Sequence, residues 1–270
     1  MINSSLSPIL KILIVQALLV MSACSFLPPS YEKDDMFNTI ENKYGIEVLI
    51  SDDPGFFPRE WLLPPISAKS SKLSQKQAKR FSGLLEKALS RYPFKVISEN
   101  LNTIGLSKSL SFYDVGYGGT NSTSMVYLSS KGKKFGYSDD YLISIFHHEF
   151  SSILLRNHAF PKKKWLSNNP TDFEYKYENY GRKAGVEAIK HEKELLNGSD
   201  ELYQKGFLTQ YSVSDFEEDF NMYSATILTN PNEFKAQMNK YEAIKRKFNI
   251  WLDFYNSIDD SFTDTSIFGQ

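Results

Sequence analysis

Near its centre the sequence reads Tyr141-Leu142-Ile143-Ser144-Ile145-Phe146-His147-His148-Glu149-Phe150-Ser151-Ser152-Ile153-Leu154. The apolar residues of this stretch recur at three- and four-residue spacing, which predicts an amphipathic helix over about residues 139 to 156. Ser138 is expected to be the N-cap, because a serine hydroxyl accepts hydrogen bonds from the free N–H groups of a first turn. At about 100° per residue, Ile145, His148 and Ser152 lie along one edge of the buried face. We expect that edge to form the floor of a cleft.

The pair His148-Glu149 begins a pattern close to HExxH, in which two histidines one helical turn apart bind zinc. The glutamate between those histidines activates a metal-bound water. In this chain the second histidine position is Ser152, and a neutral hydroxyl is a poor zinc ligand. His147 points about 100° away from His148, so we expect it to be a packing or supporting residue. The stretch therefore predicts a metallopeptidase scaffold more firmly than metallopeptidase activity.

The segment from His147 to Leu154 resembles the His-His-Glu-Phe-x-His-Ile-Leu signature of a gluzincin-like family of zinc-binding metallopeptidase lipoproteins of the Bacteroidetes. A second segment is similar to that family's Gly-Phe…Tyr…Ser…Glu-Asp-Phe-Ala-Glu stretch, in which a helical glutamate is the third metal ligand: Gly206-Phe207-Leu208-Thr209-Gln210-Tyr211-Ser212-Val213-Ser214-Asp215-Phe216-Glu217-Glu218-Asp219-Phe220. The resemblance implies zinc as the cofactor, His148 and Glu218 as zinc ligands, and Glu149 as the general base. Met222 stands where the family has another glutamate, so a carboxylate that would orient a ligand is missing.

Two further predictions concern the start of the second motif helix and an alternative zinc ligand. A capping box is predicted by Ser214-Asp215-Phe216-Glu217, with Ser214 as the N-cap and Glu217 as a structural residue. His158 is an alternative third zinc ligand, because it follows His148 at the spacing of the third histidine in metzincins. However, the turn-forming glycine of that motif is Leu155 here, and a continuing helix would place His158 about 15 Å along the axis.

The N-terminus has the form of an export signal. Lys11 precedes an apolar run, residues 12–21, which is too short to span a bilayer and has the proportions of a secretory h-region. The run ends in Ser22-Ala23-Cys24, and small residues before a cysteine resemble the lipobox of bacterial lipoproteins. Cys24 is the chain's one cysteine, so it has no intrachain disulfide partner. We predict that Cys24 is the lipidation site, the alternative being a buried thiol, and that the protein is lipid-anchored in the cell envelope, at the outer membrane.

The remaining pattern predicts an α+β fold, with a small N-terminal β-sheet and a helix followed by a mainly helical half that carries the zincin-like motif helix. Strands are predicted at 46–50, 94–97, 110–115 and 125–128, and a helix is predicted at 74–89. The glycines of 116–119 predict a hairpin or a cleft rim. One long helix is predicted after Asn230, and an irregular tail after Asp260. The predicted organisation is a lipoprotein signal peptide at 1–23, a lipidated tether at 24–40, one zincin-like metallopeptidase domain at 41–260 and a C-terminal tail at 261–270.

The composition and the motifs together leave two hypotheses for the function. The net charge of −1 and the pI near 6.5 provide no basic surface, so nucleic acid is excluded as a partner. One hypothesis is a membrane-anchored zinc metallopeptidase that hydrolyses peptide bonds with a metal-activated water and Glu149. The other is a catalytically inactive surface lipoprotein that uses the degenerate fold as a binding module for a peptide or protein, beside outer-membrane transport proteins. The family resemblance favours the first, whereas Ser152 and Met222 favour the second.

Overall fold

The computed structural model describes residues 36–269. Its helices are α1 (Asn38–Tyr44), α2 (Gln75–Leu89), α3 (Phe94–Asn100), α4 (Asp139–Asn157), α5 (Lys162–Leu166), α6 (Ala184–His191), α7 (Asp200–Gln204), α8 (Phe216–Thr229), α9 (Pro231–Lys240), α10 (Glu242–Ile258) and α11 (Asp264–Phe268). No helix within this range is long and apolar enough to cross a membrane. The predicted signal peptide, Cys24 and most of the predicted tether lie outside the described residues.

The strands form two small sheets. They are β1 (Glu47–Ile50), β2 (Lys69–Ser71), β3 (Thr103–Ser107), β4 (Ser109–Phe112), β5 (Val115–Tyr117), β6 (Gly119–Asn121) and β7 (Met125–Ser129). The larger sheet has the order β1-β3-β7-β6, with three parallel strands and β6 antiparallel to β7. The smaller sheet is antiparallel and has the order β2-β4-β5. Gly118 separates β5 from β6, so the chain passes between the sheets at this residue.

The main apolar core lies between the larger sheet and the helices, with α4 and α8 at its centre. Phe146 and Phe150 of α4 and Phe220 of α8 are fully buried. Burying each of these rings stabilises the fold by roughly 1.5–3 kcal/mol relative to an exposed ring. The opposite face of the sheet packs through Tyr127 against a second cluster that includes Phe56. The predicted α+β class, with a small N-terminal sheet and a mainly helical second half, is confirmed.

Several local predictions are confirmed. Strand β1 occupies the predicted 46–50 segment and β7 the predicted 125–128 segment. Helix α2 matches the predicted 74–89 segment, and the Ser74 hydroxyl caps it by accepting a hydrogen bond from Gln77 N. The predicted 110–115 strand is divided between β4 and β5, because Tyr113 and Asp114 turn the chain with positive φ angles.

The predicted strand at 94–97 is wrong, since this segment begins helix α3. Val96 and Ile97 are both buried, and Asn100 is buried one turn later. Neighbouring residues can share a buried face in a helix but point to opposite faces in a strand. The N–H groups of Val96 and Ile97 donate to Pro93 O, which closes the first turn. Tertiary burial therefore overrides the strand preference of the β-branched residues.

The predictions for the C-terminal part also need correction. The single long helix is two helices, because Tyr241 between α9 and α10 has an extended backbone and its hydroxyl donates to the Asp200 carboxylate. The predicted irregular tail contains α11, whose capping box joins Thr263 and Ser266. Ile267 is 2% exposed, so the tail is held by packing on the core.

A buried ion pair joins α8 to α10. Lys247 Nζ lies 2.6 Å from Asp219 Oδ2, and both side chains are fully buried. The same oxygen accepts hydrogen bonds from Trp165 Nε1 and Tyr175 Oη. Burial raises the pKa of Asp219, and the charge and hydrogen bond of Lys247 act in the opposite direction. Each charge therefore depends on the other, since an unpaired buried ion is strongly destabilising.

Replacing Lys247 by Met is expected to lower the free energy of unfolding by about 3–5 kcal/mol, because Asp219 is left buried without its cation. Lys245→Met is the matched control, since Lys245 is exposed on the same helix. The double variant Lys247→Met/Asp219→Leu should recover much of the loss. Urea unfolding followed by circular dichroism measures all three, and equal stability of the two single variants would contradict the role of the pair.

Candidate functional site

Helix α4 presents the motif residues at the edge of the larger sheet. The Ser138 hydroxyl accepts a hydrogen bond from Tyr141 N at 3.0 Å, so the predicted N-cap is confirmed. A Cβ atom at Gly119 would lie 2.4 Å from Ile145 Cγ2 and 3.1 Å from Glu149 Cγ. The absence of a side chain at this residue of β6 is therefore what allows α4 to approach the strand so closely.

Helix α8 begins one residue later than predicted. Asp215 Oδ1 accepts a hydrogen bond from Glu218 N at 2.8 Å, which makes Asp215 the N-cap and the predicted capping box wrong. Asp215 has the extended backbone of an N-cap, with φ −156°, whereas Ser214 has helical dihedral angles at the end of the preceding turn. Glu217 is therefore not a capping residue, and it pairs with Arg156 at 3.4 Å.

The packing of α4 against α8 brings His148 and Glu218 together. His148 Nε2 lies 2.9 Å from Glu218 Oε2, and each side chain is 14% exposed. Tyr211 Oη donates a hydrogen bond to Glu218 Oε1 at 2.9 Å, and the Tyr211 ring stacks on the imidazole. The two residues that the sequence proposes as zinc ligands are thus in direct contact; their role as ligands stays a prediction.

The charge on His148 follows from this contact. Burial by itself lowers the pKa of His148, but the neighbouring Glu218 carboxylate outweighs burial and raises the pKa to about 9. The imidazole therefore carries a proton at neutral pH and forms an ion pair with Glu218. Each group thus balances the charge of the other.

Glu149 lies beside this pair and is 9% exposed. Its Oε2 accepts a hydrogen bond from Asn121 Nδ2 at 2.6 Å, and Asn121 Oδ1 accepts one from Arg156. Burial raises the pKa of Glu149 to about 7, while the charge of His148 and the bond from Asn121 act against this shift. A carboxyl group with such a pKa can take up or release a proton near neutral pH.

Ser152 is held by a hydrogen-bond network between the helices. Its Oγ accepts a hydrogen bond from Asn221 Nδ2 at 2.7 Å, and Asn221 Oδ1 accepts one from Ser151 Oγ at 2.6 Å. All three side chains are at most 2% exposed. The Asn221 carboxamide therefore occupies the space beside Ser152 into which a larger side chain at that position would extend.

His147 is fully buried, as a packing residue should be, and its Nδ1 lies 2.9 Å from Tyr92 Oη. His158 directly follows the last residue of α4, and its Nε2 lies 3.0 Å from Asn100 Oδ1. The ring of His158 is therefore engaged with α3. This contact gives no support to His158 as the missing third ligand.

These residues do not fit a conventional catalytic zinc site. Within residues 36–269, no group of three histidine, cysteine, aspartate or glutamate side chains is placed to hold a metal ion. His148 and Glu218 provide two donors, but Ser152 provides a neutral hydroxyl that is already bonded to Asn221. Met222 adds no carboxylate to orient a ligand. The site therefore differs from a catalytic zinc site in the chemical type of its ligand atoms, since a hydroxyl stands where an imidazole is needed.

Two residues of the site, Asn121 and Asn221, were not considered from the sequence, and Tyr211 was expected to be a packing residue rather than a partner of Glu218. Asn221 could have been found, because it lies three positions after Glu218 on a helix and is a polar residue in an apolar environment. No pattern in the sequence points to Asn121, since its contact with Glu149 depends on how β6 packs against α4.

Comparisons with known proteins identify one similar family and one similar structure. Residues 126–258 match the model of a family described as "Putative zinc-binding metallo-peptidase". Among solved structures, one described as a "putative zinc-binding metallo-peptidase from Bacteroides caccae ATCC 43185" is similar, with a TM-score of 0.55 and 16% identity over 86% of each chain. At that identity the likeness shows the fold alone. No curated protein matches the chain. The predicted family is confirmed, whereas the lipoprotein assignment stays a prediction.

Because Asn221 occupies the space beside Ser152, we can predict which substitutions would restore a zinc site. Ser152→His alone should not create tight zinc binding, because the imidazole meets the Asn221 carboxamide. Ser152→His/Asn221→Ala supplies both the ligand and the space, and should bind zinc at least about 10 to 100 times more tightly than the parent. Competition with a chromophoric chelator measures the affinity, with Asn221→Ala as the control. Equally tight binding by the single Ser152→His variant would contradict the steric argument.

Proposed function

We propose that this chain, which belongs through residues 126–258 to the zinc-binding metallo-peptidase family, binds polypeptide segments in the cleft beside α4 without conventional zinc hydrolysis. The observation that carries the proposal is the hydrogen bond between Asn221 and Ser152 at the position of the missing ligand. His148 and Glu218 meanwhile neutralise each other. The cleft of a peptidase fold is thus kept while the donor set for its metal is incomplete.

The edge of the larger sheet supports a peptide as the ligand. Among the described residues β6 pairs only with β7, so its other edge is available to an extended chain. A strand added at such an edge is bound through its main chain, and side-chain pockets supply the selectivity. Asn121 and Glu149 lie at this edge. Tyr117 Oη is buried near them without a hydrogen-bond partner in residues 36–269, so it is free to bond to a ligand.

One observation favours hydrolysis as the alternative function. Glu218 Oε2 is buried 2.9 Å from His148 Nε2, and it accepts no hydrogen bond from the described part of the chain. Buried carboxylate oxygens are normally bonded, so a cation is a natural occupant. In that case Glu149 is the general base of the family's zinc chemistry.

The location of the protein belongs to the same proposal. The export signal and the position of Cys24 support a lipid-anchored protein of the cell envelope, at the outer membrane. The binding domain would then lie in water beside the membrane. A peptide or protein ligand and outer-membrane transport proteins are the partners that this location favours.

Two measurements on the purified full-length protein separate binding from hydrolysis. Zinc content after dialysis is expected to stay far below one ion per chain, because one zinc ligand is absent. Fluorescein-labelled casein peptides should bind saturably, as measured by anisotropy, and should remain uncut by mass spectrometry. Stoichiometric zinc together with peptide cleavage would overturn the proposal.

The Glu149→Gln variant tests whether the general base matters. If the protein only binds peptides, this variant should retain binding within a few-fold, because the amide keeps the shape of the side chain. Glu242→Gln is the control, since Glu242 is exposed on α10. Cleavage that disappears in Glu149→Gln and persists in Glu242→Gln would establish hydrolysis instead.

A further inference from the structure

We propose that residues 181–194, here called the lid, close the cleft over Glu218 and Tyr211 and open as a unit while the rest of the domain stays folded. The lid comprises the end of a turn of 3-10 helix (Glu178–Lys183), helix α6 and the residues that follow it up to Glu194. This inference deepens the proposed function, because it concerns how a ligand reaches the cleft. Its first test does not depend on any ligand.

The lid contacts the site through its backbone. A Cβ atom at Gly185 would lie 2.4 Å from Glu218 Oε1 and 2.6 Å from Tyr211 Oη. Real Cβ atoms do not approach other heavy atoms so closely, so Gly185 is what allows α6 to rest on these two side chains. A ligand that reaches Glu218 from this side must displace α6.

The lid also faces the sheet side of the cleft. Helix α6 contacts strand β5, which belongs to the smaller sheet. Lys183 Nζ lies 5.6 Å from the ring of Tyr113, next to β5. The lid thus extends from the helical side of the cleft to the smaller sheet.

Few apolar contacts hold the lid closed. Two buried residues of the lid, Ala184 and Ala188, form a small cluster with the neighbouring Tyr177, and Leu195 and Tyr211 pack against it. Alanine side chains bury little apolar area, so this cluster contributes much less than the aromatic core under α4. Segments with few buried apolar contacts open at lower free energy than the core.

Both sides of α6 have backbone positions suited to a hinge. Gly181 has φ +53° and ψ −129°, and nothing lies within 4 Å of the place of its Cβ. Glu194 has φ +58°, an uncommon conformation for a residue other than glycine. Beyond the second hinge, Tyr211 N donates to Leu195 O and Gln210 N donates to Asn197 O, which anchor that end of the lid. Rotation at a few such residues is how lids move without disturbing the core.

Limited trypsin digestion of the full-length protein tests separate opening. Lys190 lies in the last turn of α6 and Lys245 lies in α10, and both are exposed. Cleavage within a helix needs local unfolding, so its rate follows the population of the open form. We expect cleavage after Lys190 at least about 100 times faster than after Lys245, as mapped by mass spectrometry. Equal cleavage rates after Lys190 and after Lys245 would contradict the proposal that the lid opens separately.

Variants test the contact at Gly185. Gly185→Val should raise the cleavage rate after Lys190 at least about 10-fold, because the closed lid no longer fits over Glu218 and Tyr211. Gly83→Val is the matched control, since Gly83 is exposed in α2 and has nothing within 4 Å of its Cβ position. If Gly185→Val fails to fold, Leu195→Ala weakens the same cluster and should act in the same direction. No change relative to Gly83→Val and to wild type would overturn the proposed contact.

Fluorescein-labelled casein peptides test gating, that is, whether opening of the lid limits the binding of a ligand in the cleft. A variant that opens the lid should bind them several-fold more tightly than wild type, because less free energy is spent on opening. Faster cleavage after Lys190 with unchanged peptide affinity would overturn gating. If no variant binds the peptides, the proposed function fails, and the ratio of the two cleavage rates still decides whether the lid exists.

Discussion

The contact between helices α4 and α8 is the interaction on which the site depends. It places an imidazole and a carboxylate 2.9 Å apart inside the protein, where neither charge could remain without the other. A few residues further along α4, the same contact buries Ser151, Ser152 and Asn221, whose hydrogen bonds satisfy one another. The buried polar side chains around Ser152 are thus bonded mainly to one another.

The rotation of α8 about its axis is set from its other side. Asp219 follows Glu218 directly, so the two carboxylates point about 100° apart. Asp219 is held by Lys247, Trp165 and Tyr175, while Glu218 faces His148 and Tyr211. A buried ion pair without any contact to the cleft thus determines where a cleft residue points. The Asp215 side chain also bonds to the Glu218 N–H and so fixes the first turn of the helix.

The cleft is bounded by parts of different rigidity. Its floor is α4, which is packed into the aromatic core, and one wall is β6, which is hydrogen-bonded to β7. The lid instead rests on Gly185 and a cluster of small side chains. Binding sites in proteins often combine a rigid scaffold with a mobile segment of this kind, because the scaffold orients the ligand and the segment admits it. The similarity to a metallo-peptidase family concerns the scaffold, whereas Ser152 and Asn221 do not match a conventional zinc site.

The sequence by itself determined the motif helix, its Ser138 cap, α2, the strands β1 and β7, and the α+β class. These follow from side-chain periodicity and from hydrogen bonds between residues three or four positions apart, which are present in the sequence as patterns. The family resemblance added the pairing of His148 with Glu218. Tertiary structure decided the helix at Phe94–Asn100, the Asp215 cap, the break at Tyr241 and the packing of α11. It also decided that Asn221 fills the space beside Ser152. These outcomes depend on which surfaces meet in the folded chain, and Ser152 and Asn221 are 69 residues apart, so no local pattern could have revealed their contact.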